Sequence, residues 1–323
     1  MELSSIKELT DKVRQNIQKV IVGKDEVIDH LLVALISSGH VLLEDVPGTG
    51  KTMLAKSMAK SLSCTFKRIQ FTPDLLPTDI TGINFYSQKK GEFEFRPGPI
   101  FANIVLADEI NRATPRTQSS LLESMEERQA TIDGETRKLD RPFMVIATQN
   151  PVESQGTFPL PEAQLDRFLI KVNLGYPTKA EGIAILKRFK EHNPIEEIQS
   201  VISREEIIEA QRLYVNVFVD DDILSYMMEI IEKTRSHPSI ELGVSPRGSQ
   251  ALLKAVQVYA LLNGRSYVLP DDVKAMSKPV LAHRLVLNRS VRMKSNQADA
   301  ILDRIIEEIP VPTEAELLKG ISR

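Results

Sequence analysis

The segment Pro47-Gly48-Thr49-Gly50-Lys51-Thr52-Met53 follows the apolar run His40–Val46 (HVLLEDV) and opens a helix-like stretch, Lys51–Leu62. A strand that turns through glycines into a helix presents backbone N–H groups to an anion at the positive end of the helix. Gly48 and Gly50 let the main chain approach that anion, Lys51 reaches its outer phosphates, and the Thr52 hydroxyl suits Mg²⁺. The common spacing G-x-x-x-x-G-K-T asks for glycine at 45, where this chain has Asp45. Strand, loop and helix still follow in the required order, so a phosphate cradle outweighs an ordinary glycine turn.

Two further groups suit the same chemistry. The run Val105-Leu106-Ala107 ends in Asp108-Glu109. A buried strand ending this way sets two carboxylates at the carboxyl edge of a sheet, where α/β proteins bind ligands. Asp108 suits metal coordination, directly or through water, and Glu109 suits positioning or deprotonating a water. An isolated Asp-Glu after a strand is usually a solvated helix start; the Lys51 loop turns the balance. Phe143–Thr148 (FMVIAT) runs into Gln149-Asn150-Pro151. The Asn150 amide would reach a phosphate or a water at that edge, against the plainer reading of an Asn in a turn before proline.

The elements that must position these groups are legible as periods. Ile6, Leu9, Val13, Ile17 and Val20 recur at steps of three and four, an amphipathic helix. Val22-Gly23 breaks it, and a second helix runs to about Ser38. Strands are expected at 40–46, 65–71, 103–107, 143–148 and 168–174, with helices at Lys51–Leu62 and Pro115–Arg128 between them. Continuous apolar strands alternating with helices indicate a parallel sheet covered on both faces. Two hairpins interrupt the alternation. One is Gly82–Phe95 (GINFYSQKKGEFEF), extending to about 97; the other is Gln129–Leu139, with Asp133-Gly134 at its turn. After Leu174 the strands are expected to stop. Gly175-Tyr176-Pro177 reads as a linker, and helices follow at 179–190, 204–217, 221–235, 246–262, 270–283 and 298–309. The division is an α/β core over 1–175 and a helical domain over 176–323.

Composition excludes several classes. The 323 residues carry 41 Lys and Arg against 44 Asp and Glu, a net charge of −3, with 42% hydrophobic residues. That is ordinary for a folded domain and unlike a disordered tail or a nucleic-acid coat. The single Cys64 allows no intrachain disulfide, and the five His are scattered without zinc spacing. The longest apolar stretch falls short of a membrane span, and the charged N-terminus lacks a signal-peptide core. A reducing, cytoplasmic setting fits.

With these residues in view, the chain resembles an AAA+ ATPase, and specifically the MoxR family. The resemblance rests on LLEDVPGTGKT (42–52), FRPGPIFANIVLADEINRA (95–113), ATQNP (147–151), LPEAQLDRF (160–168) and SPRGSQALLKA (245–255). With VIVGKDEV (20–27) and GRSYVLPDDV (264–273) it covers nearly the whole chain. Asp45 in place of glycine is usual in that family. The resemblance implies an αβα sandwich with a five-stranded parallel sheet, inserted hairpins and a C-terminal all-α lid. It implies ATP and Mg²⁺ as ligands, held by Pro47 to Met53 and Asp108, with Val22 and Gly23 beside the adenine. It places Asn150 at the sensor-1 position, Arg167 at the arginine finger that reaches a neighbouring subunit's nucleotide, and Arg247 at sensor 2 in the lid. The first hairpin matches the insert in helix 2 of this clade, and Asp220–Gly243 would hold the extra helix before sensor 2. By type alone any of these arginines is a surface cation. Arg112 and Arg116, just beyond Asp108-Glu109, could also face a subunit boundary.

The expected function is Mg²⁺-dependent ATP hydrolysis in a ring, taken as hexameric, that remodels or matures a client protein. The family implies partners with a von Willebrand factor A domain. Alternatives are the ATPase subunit of a metal chelatase, a helicase-like nucleic-acid motor using the hairpins as grips, and a nucleotide-gated scaffold. The charge argues against the motor, so no nucleic-acid partner is expected. Intact Lys51, Asp108, Glu109 and Arg167 argue against the scaffold. The hairpin tip Gln88-Lys89-Lys90 reads as a solvated turn or as a contact for a threaded partner.

Overall fold

Residues 2–45, 48–150, 156–191, 193–288 and 297–312 are described by the structure, a computed structural model. The N-terminal half runs α1 (Leu3–Gln18), α2 (Asp25–Ile36), β1 (Val41–Glu44), α3 (Lys51–Ser61), β2 (Phe66–Gln70), α4 (Pro77–Thr81), β3 (Gly82–Ser87), β4 (Glu92–Pro97) and β5 (Ile104–Asp108). It continues with α5 (Pro115–Glu127), β6 (Gln129–Ile132), β7 (Glu135–Lys138), β8 (Met144–Gln149), α6 (Glu162–Leu165) and β9 (Ile170–Val172). Five of these strands form one sheet in the order β2-β5-β8-β1-β9, all pairs parallel.

The order follows from burial. β5 is wholly buried and β8 nearly so, while the edge strand β2 carries Lys67, Arg68 and Gln70 outward. Successive side chains on β1 serve opposite cores. Val41 and Leu43 pack with α1, α2, α3 and the C-terminal helices, and Leu42 joins the cluster beneath α4 and α5. Register then levels the ends of the sheet: Gln70 lies beside Asp108, and Glu44 beside Gln149.

Both hairpins form, β3 with β4 and β6 with β7. Asp133 and Gly134 take φ of 50° and 85°, the left-handed pair that a two-residue hairpin turn needs. The hairpins lean on one another. Asn84 Nδ2 donates to Asp133 Oδ2 at 3.0 Å, and the Arg137 guanidinium lies 4.1 Å over the Phe95 ring. The tip Gln88-Lys89-Lys90 is exposed, and Lys90 pairs with Glu94.

The C-terminal region is helical: α7 (Lys179–Glu191), α8 (Arg204–Leu213), α9 (Asp221–Ser236), then α10 (Pro246–Leu262), α11 (Pro270–Leu281) and α12 (Gln297–Glu308). Caps define these ends. Ser203 and Glu206 form a reciprocal box at α8, and Ser245 Oγ accepts the Gly248 N–H at 3.1 Å with Pro246 at the first position of α10. The expectation that strands stop after Leu174 needs one correction. β10 (Ile240–Leu242) and β11 (Val286–Leu287) pair antiparallel within the helical region. Strands this short carry no readable alternation, and the pairing joins segments far apart in the chain.

Candidate functional site

The carboxyl edge of the sheet gathers the expected phosphate-side groups. β1 delivers Asp45, α3 begins at Lys51, β5 ends in Asp108-Glu109, and β8 ends at Gln149 with Asn150 next. Pro47 lies outside the described residues, as does Pro151. Gly48 and Gly50 adopt φ of 85° and 94°, a region that L side chains rarely enter, and a Cβ on either would meet no atom within 4 Å. The glycines therefore serve the backbone path, and the space beside the loop is open. Lys51 is 9% exposed, and its Nζ donates to the Asp45 carbonyl at 3.0 Å. Thr52 and Met53 are half-buried behind it. The Asp45 carboxylate, at the position where glycine is common, accepts the Gly175 N–H at 3.1 Å and so ties the loop to the chain leaving β9.

Side chains to which the sequence assigned no role at this site organise the two carboxylates. Thr148 Oγ1 donates to Asp108 Oδ1 at 2.6 Å and accepts the Glu109 N–H at 2.8 Å, so β8 staples the pair in place. Arg68 engages Asp108 Oδ2 through Nη2 at 2.6 Å and Nε at 3.1 Å. Gln70 Nε2 donates to Glu109 Oε2 at 2.8 Å, and Arg112 Nε lies 3.1 Å from the same oxygen. Glu109 itself sits at φ 59°, ψ 49°, a left-handed backbone uncommon for a non-glycine residue. Arg68 and Gln70 share one face of β2 by period two, a readable pattern. That β2 lies beside β5 was not readable. Arg112, weighed as a boundary cation, is a neighbour of Glu109; Arg116 is exposed on the first turn of α5.

Arg167 and Arg247 lie elsewhere. Arg167 precedes β9, and Arg247 opens α10 beside a cavity of about 340 Å³. The cavity is also lined by Ser38, Gly39 and His40, which precede β1. Both arginines therefore sit at the amino edge of the sheet, and Glu126 joins them. Its Oε2 is 3.3 Å from Arg167 Nε, and its Oε1 accepts from Arg247 Nη2. Behind them Asp166 accepts Arg284 Nε at 2.8 Å and Ser245 Oγ at 3.1 Å. Burial pulls the Arg284 guanidinium down to about 10.

His40 closes this edge from below. Its Nδ1 accepts the Val145 N–H at 2.9 Å, so Nε2 carries the proton and donates to the Met125 carbonyl at 3.0 Å. Burial lowers it to about 4, holding the ring neutral. No sequence signal pointed to Glu126 or His40 in these roles.

Val22 and Gly23 lie where the N-terminal helices meet the C-terminal region. Gly23 has φ 69°, and a Cβ there would lie 1.8 Å from Glu181 Oε1 on α7. Lys24 Nζ reaches the Tyr176 carbonyl at 3.4 Å.

A phosphate-type loop at the carboxyl edge of a 2-5-8-1-9 sheet, followed by a helical region, defines an AAA-type protein. Residues 40–170 match the ATPase family associated with various cellular activities (AAA), and residues 232–305 match the AAA lid domain. The chain belongs to the MoxR family of these proteins. It is 40% identical to Chaperone MoxR1 of Mycobacterium tuberculosis, over 92% of this chain and 80% of that one. An uncharacterised Bacillus subtilis protein, YeaC, is 52% identical over 96% of this chain and 97% of its own length. The crystal structure of a candidate ATPase from Cytophaga hutchinsonii superposes with a TM-score of 0.90 at 37% identity, covering 96% of this chain and 97% of that one. Among the described residues, no helix is long and apolar enough to cross a membrane.

Proposed function

We propose that the chain hydrolyses ATP at sites completed by a second copy of itself, in a closed ring that remodels a client protein. The observation that carries this reading is the separation of the two charged edges. The sheet strands run three to six residues, so its ends lie roughly 10–20 Å apart. Arg167 and Arg247 cannot cross that distance to Lys51 of their own chain. A head-to-tail copy brings the amino edge of one subunit to the carboxyl edge of the next, and repeating this contact closes a ring. The Chaperone MoxR1 relative supports a protein client, and the resemblance adds a von Willebrand factor A partner. The core and lid divide at about residue 175.

The geometry and the family resemblance together support the following roles. The loop amides from Gly48 to Thr52 and the Lys51 ammonium hold the phosphates. Mg²⁺ is typically held by one or two protein oxygens plus substrate phosphates, and Thr52 with the buried, hydrogen-bonded Asp108 fits that set. When bound, it neutralises charge developing on the phosphates. Glu109 orients the attacking water and takes its proton as the bond from the γ-phosphorus to the bridging oxygen breaks. Gln70 and Arg112 fix that carboxylate until the water arrives. Asn150 holds the γ-phosphate or the water, Val22 and Gly23 flank the adenine, and Arg167 and Arg247 meet the neighbour's γ-phosphate.

The test is a mixture. Arg167→Ala keeps an intact cradle, and Lys51→Ala keeps an intact finger. Each alone should lose roughly 10³-fold or more in turnover. Mixed rings should hydrolyse ATP faster than the sum of both, because the second subunit completes the first one's site. Mixed rings confirmed by mass that show only the summed residual rates would refute action in trans.

A further inference from the structure

We infer that Glu126 is a positioning residue that sets the spacing and orientation of Arg167 and Arg247. The inference rests on the reading that both arginines act on a neighbour's nucleotide. Five cations line the amino-edge cavity: Arg128, Arg167, Arg247, Lys254 and Arg284. Arg284 is matched by Asp166, and Arg128 Nη2 donates to the Ser38 carbonyl at 2.7 Å. Glu126 is left to face the two arginines, one on each carboxylate oxygen. Without it, two guanidiniums from different parts of the chain would repel at close range. With it, one charge holds both.

The atoms engaged matter. Glu126 meets Arg167 at Nε. That is the nearest approach, so both Nη nitrogens lie farther from the carboxylate and keep donors for a phosphate. The anchor is firm as well. Glu126 sits in the last turn of α5, where His40 holds the Met125 carbonyl and Arg128 holds the Ser38 carbonyl. A carboxylate there faces the negative end of the helix dipole, and no basic residue of α5 offsets it in that turn. The offset comes from Arg128 at the C-cap and from the two arginines that contact the Glu126 carboxylate. The helix thus carries an acid at an end where its own helix disfavours one.

Glu126→Gln keeps size and removes the charge. We expect kcat of the assembled protein to fall about 10- to 100-fold, the loss that a misplacement of about 1 Å brings, with ATP affinity unchanged. Glu126→Asp keeps the charge on a shorter stem and should recover part of the loss. Mixing Glu126→Gln with Lys51→Ala subunits should restore turnover, because the partner brings correctly held arginines to an intact cradle. In an Arg167→Ala/Arg247→Ala background, Glu126→Gln should cost nothing further. Wild-type turnover of Glu126→Gln beside a disabled Arg167→Ala would overturn the inference and leave the ring reading standing. So would an equal loss from Glu126→Gln in the double-arginine background, which marks a purely structural role. Near-normal hydrolysis by Arg167→Ala would sink the ring reading, and this inference with it.

Discussion

The two edges of the central sheet are built in contrasting ways. At the carboxyl edge, the polar groups come from consecutive residues: the 48–52 loop, Asp108-Glu109 and Gln149-Asn150. Each group sits where a strand simply ends, and strand register levels them. At the amino edge, Arg167, Arg247 and Glu126 come from three separate elements and meet only through tertiary packing. The carboxyl edge is densely cross-linked by its own chain, with Thr148, Arg68 and Gln70 fixing both carboxylates. The amino edge keeps its arginines about a third to a half exposed, at 31% and 45%. One edge is cross-linked within the chain, and the other leaves its two arginines accessible around one carboxylate. Under the proposed reading, the chain carries both halves of a reaction that only a second copy can join.

The sharpest way to break this contrast is to compare nucleotide binding with turnover. Lys51→Ala removes the cation of the cradle, so both binding and hydrolysis should collapse to background. Arg167→Ala should bind ATP as the unmodified protein does while losing turnover roughly 10³-fold. Titration calorimetry against steady-state hydrolysis separates the two. Equal binding by Lys51→Ala would dissolve the distinction between the edges.

Acid should strike the amino edge. His40 stands at about 4 in the fold against an ordinary value of 6.5, because burial disfavours the cation. As pH falls below 6.5, the unfolded chain takes up the proton first. Stability is therefore complete above 6.5 and declines between 6.5 and about 4, by about 3 kcal/mol from this group. His283, also depressed by burial and by the Arg284 charge, adds in the same direction. His40→Gln offers an acceptor and a donor without titrating, so its denaturation midpoints should vary less over that interval. A slope identical to that of the unmodified protein would remove His40 from the account.

The smallest expected effect concerns Arg68. Its guanidinium holds the Asp108 oxygen that a bound Mg²⁺ would contest. Arg68 is 45% exposed, so solvent screening limits its hold on Asp108 to about 1 kcal/mol, and Arg68→Ala should lower the Mg²⁺ concentration for half-maximal nucleotide binding by about two- to fivefold. An unchanged or higher requirement would show that Arg68 supports the metal side of the carboxyl edge.

What could be read before folding was whatever lies close in the chain. The candidate phosphate loop is one stretch of chain, whose glycines take left-handed backbone that few other residues accept. The strands at 104–108 and 144–149 announce themselves as unbroken apolar runs because both faces are covered. The Asp133-Gly134 hairpin is fixed by two dihedral angles. Arg68, Gln70 and Thr148 escaped notice because their work depends on β2 and β8 lying on either side of β5, and strand order is a property of the whole sheet. The β10–β11 ribbon escaped because two-residue pairing has no period. Most of all, the meeting of Arg167 and Arg247 on one carboxylate spans up to 121 positions of sequence. Local residue chemistry determined which side chains are suited to phosphate. Only the packing of α5, the chain before β9 and the start of α10 around the amino end of β1 decided that Arg167 and Arg247 sit at the opposite edge of the sheet from Lys51, because charge pairing across such separations exists only once the core has closed.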